Sequence, residues 1–202
     1  MTRLDDAFAR FDAANALDPN TVEAAGARRP AELVYAEHMS AALGCLAPCA
    51  SEALQLAARA QHLRRWTVPR ASYPEGLAGY HRWRNDLKRL HAEWAGEILR
   101  DCGYEKAEIA RVASLIRKEG LKTDPEAQTL EDAACLVFLE HYAAQFIERH
   151  DEDRVTGILA KTWSKMSDRA RAAAGELSLA PRLSALLARA LIAPSGIGER
   201  SP

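Results

Sequence analysis

The amino-acid sequence predicts an all-α protein. No segment alternates between apolar and polar residues over the length of a strand, and no Val-, Ile- or Thr-rich run lies between hairpin turns. Apolar residues instead recur three or four positions apart along the chain. The 202 residues, 48% hydrophobic and 27% charged, suffice for one substantial core. We therefore expect one helical bundle of about seven or eight helices over residues 1–192 and a disordered tail over residues 193–202.

Three helices are predicted in the first third of the chain. The first is short and amphipathic, with apolar residues at Leu4, Phe8 and Phe11. Pro30 suits the first turn of the second helix, which ends at Pro48. Ser51 is a suitable N-cap for the third helix, whose many alanines allow close packing and therefore indicate burial.

A long fourth helix follows, which a capping box of Ser72 and Glu75 opens and which closes near Gly103. At 100° per residue its predicted apolar stripe consists of Leu77, Tyr80, Trp83, Leu87, Leu90, Trp94 and Ile98. A fifth helix is predicted over residues 105–118, before Gly120.

Three more helices are predicted in the last part of the chain. A second capping box, Thr129 with Asp132, opens the most apolar helix of the chain, which runs to about His150. Asp151 is a suitable cap for a seventh helix, and Pro181 introduces a last short one over residues 182–192.

Charge and motif content exclude several classes of protein. The net charge of -1 gives no global attraction to nucleic acid or to an anionic membrane. There is no GxxxxGK[ST], GxSxG or HExxH motif, which removes Walker-type nucleotide hydrolases and zincin proteases. No apolar leader or membrane-length run is present, and the four cysteines are scattered, so we expect a cytoplasmic protein with reduced thiols and no membrane partner.

Polar side chains cluster on two of the predicted helices. His81, Arg84, Lys88 and His91 are spaced by 3, 4 and 3 positions, which puts them on one side of the fourth helix. The buried third helix ends in Gln61, His62, Arg64 and Arg65, which need partners because an unpaired polar group out of water costs a few kcal/mol. We expect a binding site where these two groups approach the core.

The order of His38, His62, His91 and Asp132 along a helical chain resembles the HD superfamily of metal-dependent phosphohydrolases. AEHMSAAL is similar to the early-His helix of that superfamily, LQLAARAQHLRRW to its His-Asp helix, and EDAACLVFLE to its late-Asp helix. The resemblance covers about residues 33–140. The sequence departs from the pattern at Leu63 and Ala134, where the superfamily has carboxylate ligands.

The resemblance implies a divalent metal ion held by His38, His62, His91 and Asp132, with His62, His91 and Asp132 as the catalytic residues. The metal would lower the pKa of a bound water, and Arg groups suit bidentate contact with phosphate. The further ligand-binding residues that we expect are Gln61, Arg65, Arg84 and Lys88. The predicted function is hydrolysis of a nucleotide or another small phosphorylated metabolite.

Alternatives remain open at this stage. A module of the same shape without a metal would bind an anionic ligand through the same histidines, arginines and lysine, without turnover. Interaction with RNA or protein through the basic side of the fourth helix is less favoured by the balanced net charge. The alternative explanations are capping for Asp132, a helix C-terminus for His62, a structural hydrogen bond for His91 and ordinary exposure for His38.

Three further motifs resemble a widespread uncharacterised family. They stand in this chain as RAQHLRRW, YHRWRNDLKRLHA and DPEAQTLEDAACLVFLE. Some members of that family are labelled glutamyl-tRNA synthetases, a label that these residues do not support. The oligomeric state is left open by the sequence.

Overall fold

The structure is a computed structural model that describes residues 2–192, and its chain divides between Glu131 and Asp132 into two compact units. The all-α prediction is confirmed, but the predicted number of helices is too low, because residues 2–192 form ten α-helices. The predicted tail over residues 193–202 lies outside the described residues.

The first unit contains the following elements in order: α1 Arg3–Asn15, β1 Thr21–Ala24, β2 Ala27–Pro30, α2 Ala31–Leu46, α3 Glu52–Arg59, two 3-10 turns at Arg65–Thr67 and Arg70–Ser72, α4 Gly76–Asp101, α5 Lys106–Ile116 and the first half of α6 Pro125–Val137. Helix α3 packs against α1, α2 and α5, and α5 packs against α4. The largest side chains buried in this core are Phe11, Met39, Leu56, Leu63, Leu99, Leu115, Ile116 and Leu130.

The small antiparallel hairpin of β1 and β2 was not predicted. Its strands pair from Thr21 with Pro30 to Ala24 with Ala27, and each has four residues. The turn residues Ala25 and Gly26 both have positive φ, +52° and +76°, as a two-residue hairpin turn requires. Strands this short show too little alternation to be recognised in a sequence.

The predicted cap of α3 is right, and the predicted start of α4 is wrong. The hydroxyl of Ser51 accepts a hydrogen bond from the Leu54 N–H at 3.1 Å, as predicted. The capping box of Ser72 and Glu75 is wrong, because Ser72 belongs to a 3-10 turn and α4 begins at Gly76.

The capping box of Thr129 and Asp132 is also wrong. Helix α6 begins at Pro125, and Asp124 Oδ1 accepts from the Glu126 N–H at 3.0 Å. Thr129 is therefore inside the helix, where its hydroxyl donates to the Pro125 carbonyl at 2.8 Å.

The predicted apolar stripe of α4 is buried only in part. Trp83 and Leu87 are buried, but 71% of Leu77 and 37% of Tyr80 are exposed. Leu90, Trp94 and Ile98 are half-buried, and the buried face of the later turns consists instead of Leu87, His91, Ala95 and Leu99.

The second unit consists of the end of α6, a π-helical segment Phe138–Tyr142, α7 Ala143–Arg149, α8 Glu152–Lys165, α9 Asp168–Gly175 and α10 Pro181–Ile192. Asp151 caps α8 as predicted, by accepting from the Arg154 N–H at 2.9 Å. Helix α9 was not predicted, and Ser167 is its N-cap. Within this unit α10 packs against α7 and α8.

None of the helices described over residues 2–192 is both long enough and apolar enough to cross a membrane. Cys45 and Cys49 are exposed, Cys102 is half-buried and Cys135 is buried. All four are free thiols, as their scattered positions in the sequence predict.

Candidate functional site

A buried carboxylate, Glu32, is the centre of a polar cluster in the first unit. Glu32 lies in the first turn of α2, where its N–H donates to Asp18 Oδ2 at 3.0 Å. Its carboxylate accepts from His62 Nδ1 at 3.2 Å and from Arg65 Nη1 at 3.3 Å, one on each oxygen. Only 10% of the Glu32 side chain is exposed. We call Glu32, His62, Arg65 and His91 the Glu32 cluster.

The charges in this cluster follow from its burial and its partners. Burial alone would raise the pKa of Glu32, but His62 and Arg65 together outweigh burial and lower this pKa. Loss of hydration lowers the pKa of His62, against the influence of Glu32, and the positive charges of Arg65 and Lys118 lower it further. At neutral pH Glu32 is therefore ionised and His62 is neutral.

The tautomer of His62 follows from its partner. An ionised carboxylate only accepts hydrogen bonds, so the proton of neutral His62 is on Nδ1 and Nε2 has a lone pair. The ring stacks on Tyr35, with centroids 3.8 Å apart and planes 8° apart, and 28% of the side chain is exposed. Tyr35 and Glu32 are one turn apart on α2, so a single helix both orients and stacks this imidazole.

His91 places a second neutral imidazole beside the first. It is 3% exposed on α4, and its Nδ1–H donates to the Leu63 carbonyl at 2.7 Å. Burial lowers the pKa of His91 to about 3, and the neighbouring His62 adds to the shift. The ring centroids of His62 and His91 are 6.0 Å apart, so two unprotonated Nε2 atoms belong to one small region.

Arg65 is held from two sides. Its guanidinium lies over the Trp83 ring, 5.1 Å from the centroid, and one of its N–H groups donates to Glu32. Trp83 is itself fixed, since its Nε1 donates to the Val68 carbonyl at 2.9 Å. The Arg65 side chain is 36% exposed, and its other N–H groups have no hydrogen-bond partner among residues 2–192.

The turn between α3 and the first 3-10 turn sets the positions of these groups. Arg64 has a left-handed backbone with φ of +53°, an uncommon conformation for a residue with a side chain. Its N–H donates to Oδ1 of the fully buried Asn15 at 3.0 Å, and its carbonyl accepts from the Thr67 hydroxyl at 2.8 Å. The turn thereby directs the Leu63 carbonyl to His91 and the next side chain, Arg65, to Glu32.

Gln61, next to His62 in the chain, is 6% exposed, and its Oε1 has no hydrogen-bond partner among residues 2–192. A buried unpaired acceptor costs about 1–3 kcal/mol. A donor from a ligand or a water molecule would offset this cost.

A buried ion pair joins the C-terminal end of α5 to α6. The Lys118 ammonium binds the Glu131 carboxylate, and 14% and 7% of these side chains are exposed. Lys118 has φ of +59°, at a position just after α5 where glycine is common.

A family model described as a domain of unknown function, DUF4202, matches residues 5–187. The chain belongs to the DUF4202 family. The prediction of an uncharacterised family is thereby confirmed, whereas the resemblance to HD phosphohydrolases stays a prediction. No curated protein and no solved structure matches the chain.

Three of the predicted site residues of this DUF4202 chain meet in the Glu32 cluster, namely His62, His91 and Arg65. Of the others on α4, Arg84 contacts Tyr80, with its Nη1 3.3 Å from the phenol oxygen, and Lys88 is half-buried one turn before His91. His38 is half-buried on α2, six residues after Glu32.

Asp132 belongs to the second unit and is 1% exposed. Its carboxylate accepts from the Ser167 N–H at 2.8 Å and from the Ser167 hydroxyl at 2.6 Å. Asp132 thus fixes the N-cap residue of α9, which is a structural role. A catalytic or metal-binding role for Asp132 stays a prediction.

The donor set of the first unit does not fit a divalent metal ion. Residues 2–192 contain no group of three or more His, Cys, Asp or Glu side chains that could hold one. Both Glu32 oxygens accept hydrogen bonds. Only the lone pairs on Nε2 of His62 and on Nε2 of His91 are therefore left in the cluster to coordinate a metal ion.

Sequence reasoning missed Glu32 and Tyr35. An acidic residue in the first turn of a helix suits the helix dipole, so Glu32 needs no special explanation in a sequence. The one indication was indirect: the basic end of α3 requires an acidic partner, and the sequence does not say which acid supplies it.

Proposed function

We propose that the first unit binds a small phosphorylated ligand at the Glu32 cluster. The observation that carries the proposal is a fixed, partly exposed Arg65 beside a neutral His62 whose Nε2 is unprotonated. This function is the anion-binding alternative that the sequence left open.

Arg65 suits the oxygens of a phosphate group. A guanidinium has five N–H donors in a planar arrangement and binds two such oxygens at once. Glu32 and Trp83 already hold the side chain in place, so binding a ligand requires little further loss of conformational freedom.

His62 adds selectivity for a protonated oxygen. Its Nε2 accepts a hydrogen bond, so a P–OH or an alcohol of the ligand is a matching donor. A monohydrogen phosphate ester offers both features, because its ionised oxygens suit Arg65 and its hydroxyl suits His62.

Calorimetric titration with inorganic phosphate and a series of phosphate monoesters tests the proposal. Arg65→Gln should weaken binding at least about tenfold, the equivalent of about 1.4 kcal/mol, and Arg65→Lys should weaken it less. The matched control is Arg89→Gln, because Arg89 forms an exposed pair with Glu93 on the same chain at 2.8 Å. Equal affinities for the wild type and Arg65→Gln, or no binding by the wild type, would contradict the proposal.

Hydrolysis of the bound ester is a second candidate, favoured by the pairing of Glu32 with His62. A carboxylate that holds Nδ1–H orients the imidazole so that Nε2 can accept a proton from water. The resemblance to HD phosphohydrolases supports the same substrate class. Release of phosphate from the best-binding ester should fall at least about a hundredfold in His62→Gln. Equal phosphate release by the wild type and His62→Gln would contradict hydrolysis at this site, and only the binding function would remain.

A further inference from the structure

A cavity that none of the Glu32 cluster residues lines lies between the segment over residues 67–74 and α4 of the first unit. Its volume is about 430 Å³. Cavities that hold small molecules in proteins measure about 300–1,000 Å³. We call it the loop cavity; its charged lining residues are Arg82 and Asp86, and its hydroxyl groups come from Thr67, Ser72 and Tyr73.

The wall of the loop cavity is fixed by contacts within the segment and with α4. The Arg70 guanidinium donates to the carbonyls of Tyr73 and Pro74 at 2.9 and 2.8 Å. Trp83 Nε1 holds the Val68 carbonyl at 2.9 Å. Gly79 lets the segment lie directly on α4, because a Cβ there would be 1.9 Å from the Pro74 carbonyl oxygen. The cavity is therefore preformed.

The two charges in the lining are one turn apart on the same face of α4, yet they do not pair. Among residues 2–192 Arg82 has no ion pair or hydrogen bond, although Asp86 is its i,i+4 neighbour. Asp86 Oδ2 accepts from the Tyr73 hydroxyl at 2.9 Å, and Oδ1 has no such partner. A cationic and an anionic group thus face one cavity with hydrogen-bonding capacity left on each.

We propose that the loop cavity binds a small zwitterion of the α-amino acid class. Its carboxylate would bind Arg82, its ammonium group would bind Asp86, and the Ser72 hydroxyl would serve either end. A simple anion would meet the repulsion of Asp86, and a simple cation that of Arg82. Only a ligand that carries both charges gains from both groups.

Titration of the full chain with the common L-amino acids, followed by calorimetry or by protein NMR, identifies the tightest binder. Two analogues of that ligand, one without the ammonium group and one without the carboxylate, should each bind at least about tenfold more weakly. If the ligand is alanine, these analogues are propionate and ethylamine. Arg82→Gln and Asp86→Asn should each weaken amino-acid binding by about the same factor.

Two features of this design keep the result clear. Asp86→Asn keeps an acceptor for the Tyr73 hydroxyl, and Arg82 has no partner to lose, so both variants should fold, as thermal unfolding would verify. Arg100→Gln, on the exposed last turn of α4, is the control and should bind as the wild type does. The proposal is overturned if the wild type binds no amino acid, if both variants bind as tightly as the wild type, or if propionate binds as tightly as alanine.

Discussion

At the scale of single residues, burial decides the protonation of the imidazoles. His91 is neutral in the folded chain, with its pKa lowered to about 3, whereas an unfolded histidine has a pKa of about 6.5. Between these values the unfolded chain binds one more proton than the folded chain. The free energy of unfolding therefore rises with pH across this window and falls as the pH drops from about 6.5 towards 3.

Replacing His91 with Gln should remove about one proton from this pH dependence. The slope of the unfolding free energy against pH, measured by urea unfolding between about pH 4 and 6, should fall by about 1.4 kcal/mol per pH unit. His62 also has a lowered pKa and should contribute to the remaining slope in the same direction, as should the carboxylates whose pKa values are lowered, such as Glu32. Identical slopes for the wild type and His91→Gln would contradict a neutral, buried His91.

The left-handed residues Arg64 and Lys118 give a second prediction. Arg64→Gly relieves the φ of +53° and keeps the backbone hydrogen bond to Asn15, so unfolding by urea should require up to about 1 kcal/mol more free energy. Lys118→Gly relieves a similar backbone but removes the cation from buried Glu131, so it should be less stable than the wild type. A destabilised Arg64→Gly would show that its side chain, not its backbone, matters for the fold.

Part of the site could be predicted at this scale and part could not. The spacing on α4 and the polar end of α3 indicated His91, His62 and Arg65, because side chains on a buried helix end must find partners. Glu32 was missed because a first-turn acid is common at helix starts whether it is exposed or buried. Which acidic residue pairs with His62 and Arg65 depends on how the helices pack together.

At the scale of elements, the packing of the preceding segment on α4 requires glycine at position 79, where there is no room for a side chain. Gly79→Ala would bring a Cβ to 1.9 Å from the Pro74 carbonyl oxygen, and the segment before α4 must then move. We expect a loss of about 1–3 kcal/mol in the free energy of unfolding. Gly44→Ala is the matched control within α2, since nothing lies within 4 Å of its added methyl group, and it should be neutral or stabilising. Equal stabilities of the two variants would contradict the close approach.

Helix starts could be predicted where a cap is local and could not where two caps compete. Ser51 and Asp151 were recognised because each directly precedes its helix. Thr129 and Asp132 match a capping box by spacing, but Pro125 with Asp124 begins the helix one turn earlier. The hairpin over residues 21–30 was missed because its strands are too short to show a period.

At the scale of the whole molecule, the Glu32 cluster belongs entirely to the first unit. A change in the second unit therefore tests whether ligand binding at the cluster is independent of that unit. Ser167→Ala removes the side-chain cap of α9 and one hydrogen bond to Asp132, so stability should fall by about 1–2 kcal/mol. Phosphate affinity should stay unchanged. Ser184→Ala, at an exposed position of α10, is the control for stability. A loss of affinity in folded Ser167→Ala would link the second unit to binding.

The fold class could be predicted at this scale because helical periodicity runs through the whole chain. The division at Glu131 and Asp132 could not, because it falls inside α6, where residues 126–137 contain no proline or glycine that would mark a linker. One domain was predicted over residues 1–192 because no change in amino-acid composition marks a boundary within them.

The π-helical segment Phe138–Tyr142 has a consequence for sequence change in this family. The Ala143 N–H donates to the Phe138 carbonyl, so this turn contains one residue more than an α-helical turn. Removing exposed Glu140 would let the chain close an ordinary turn, with Leu139 and Ile147 still facing inwards on either side of the deletion. Homologues that differ by one residue in length are therefore expected to place the gap here.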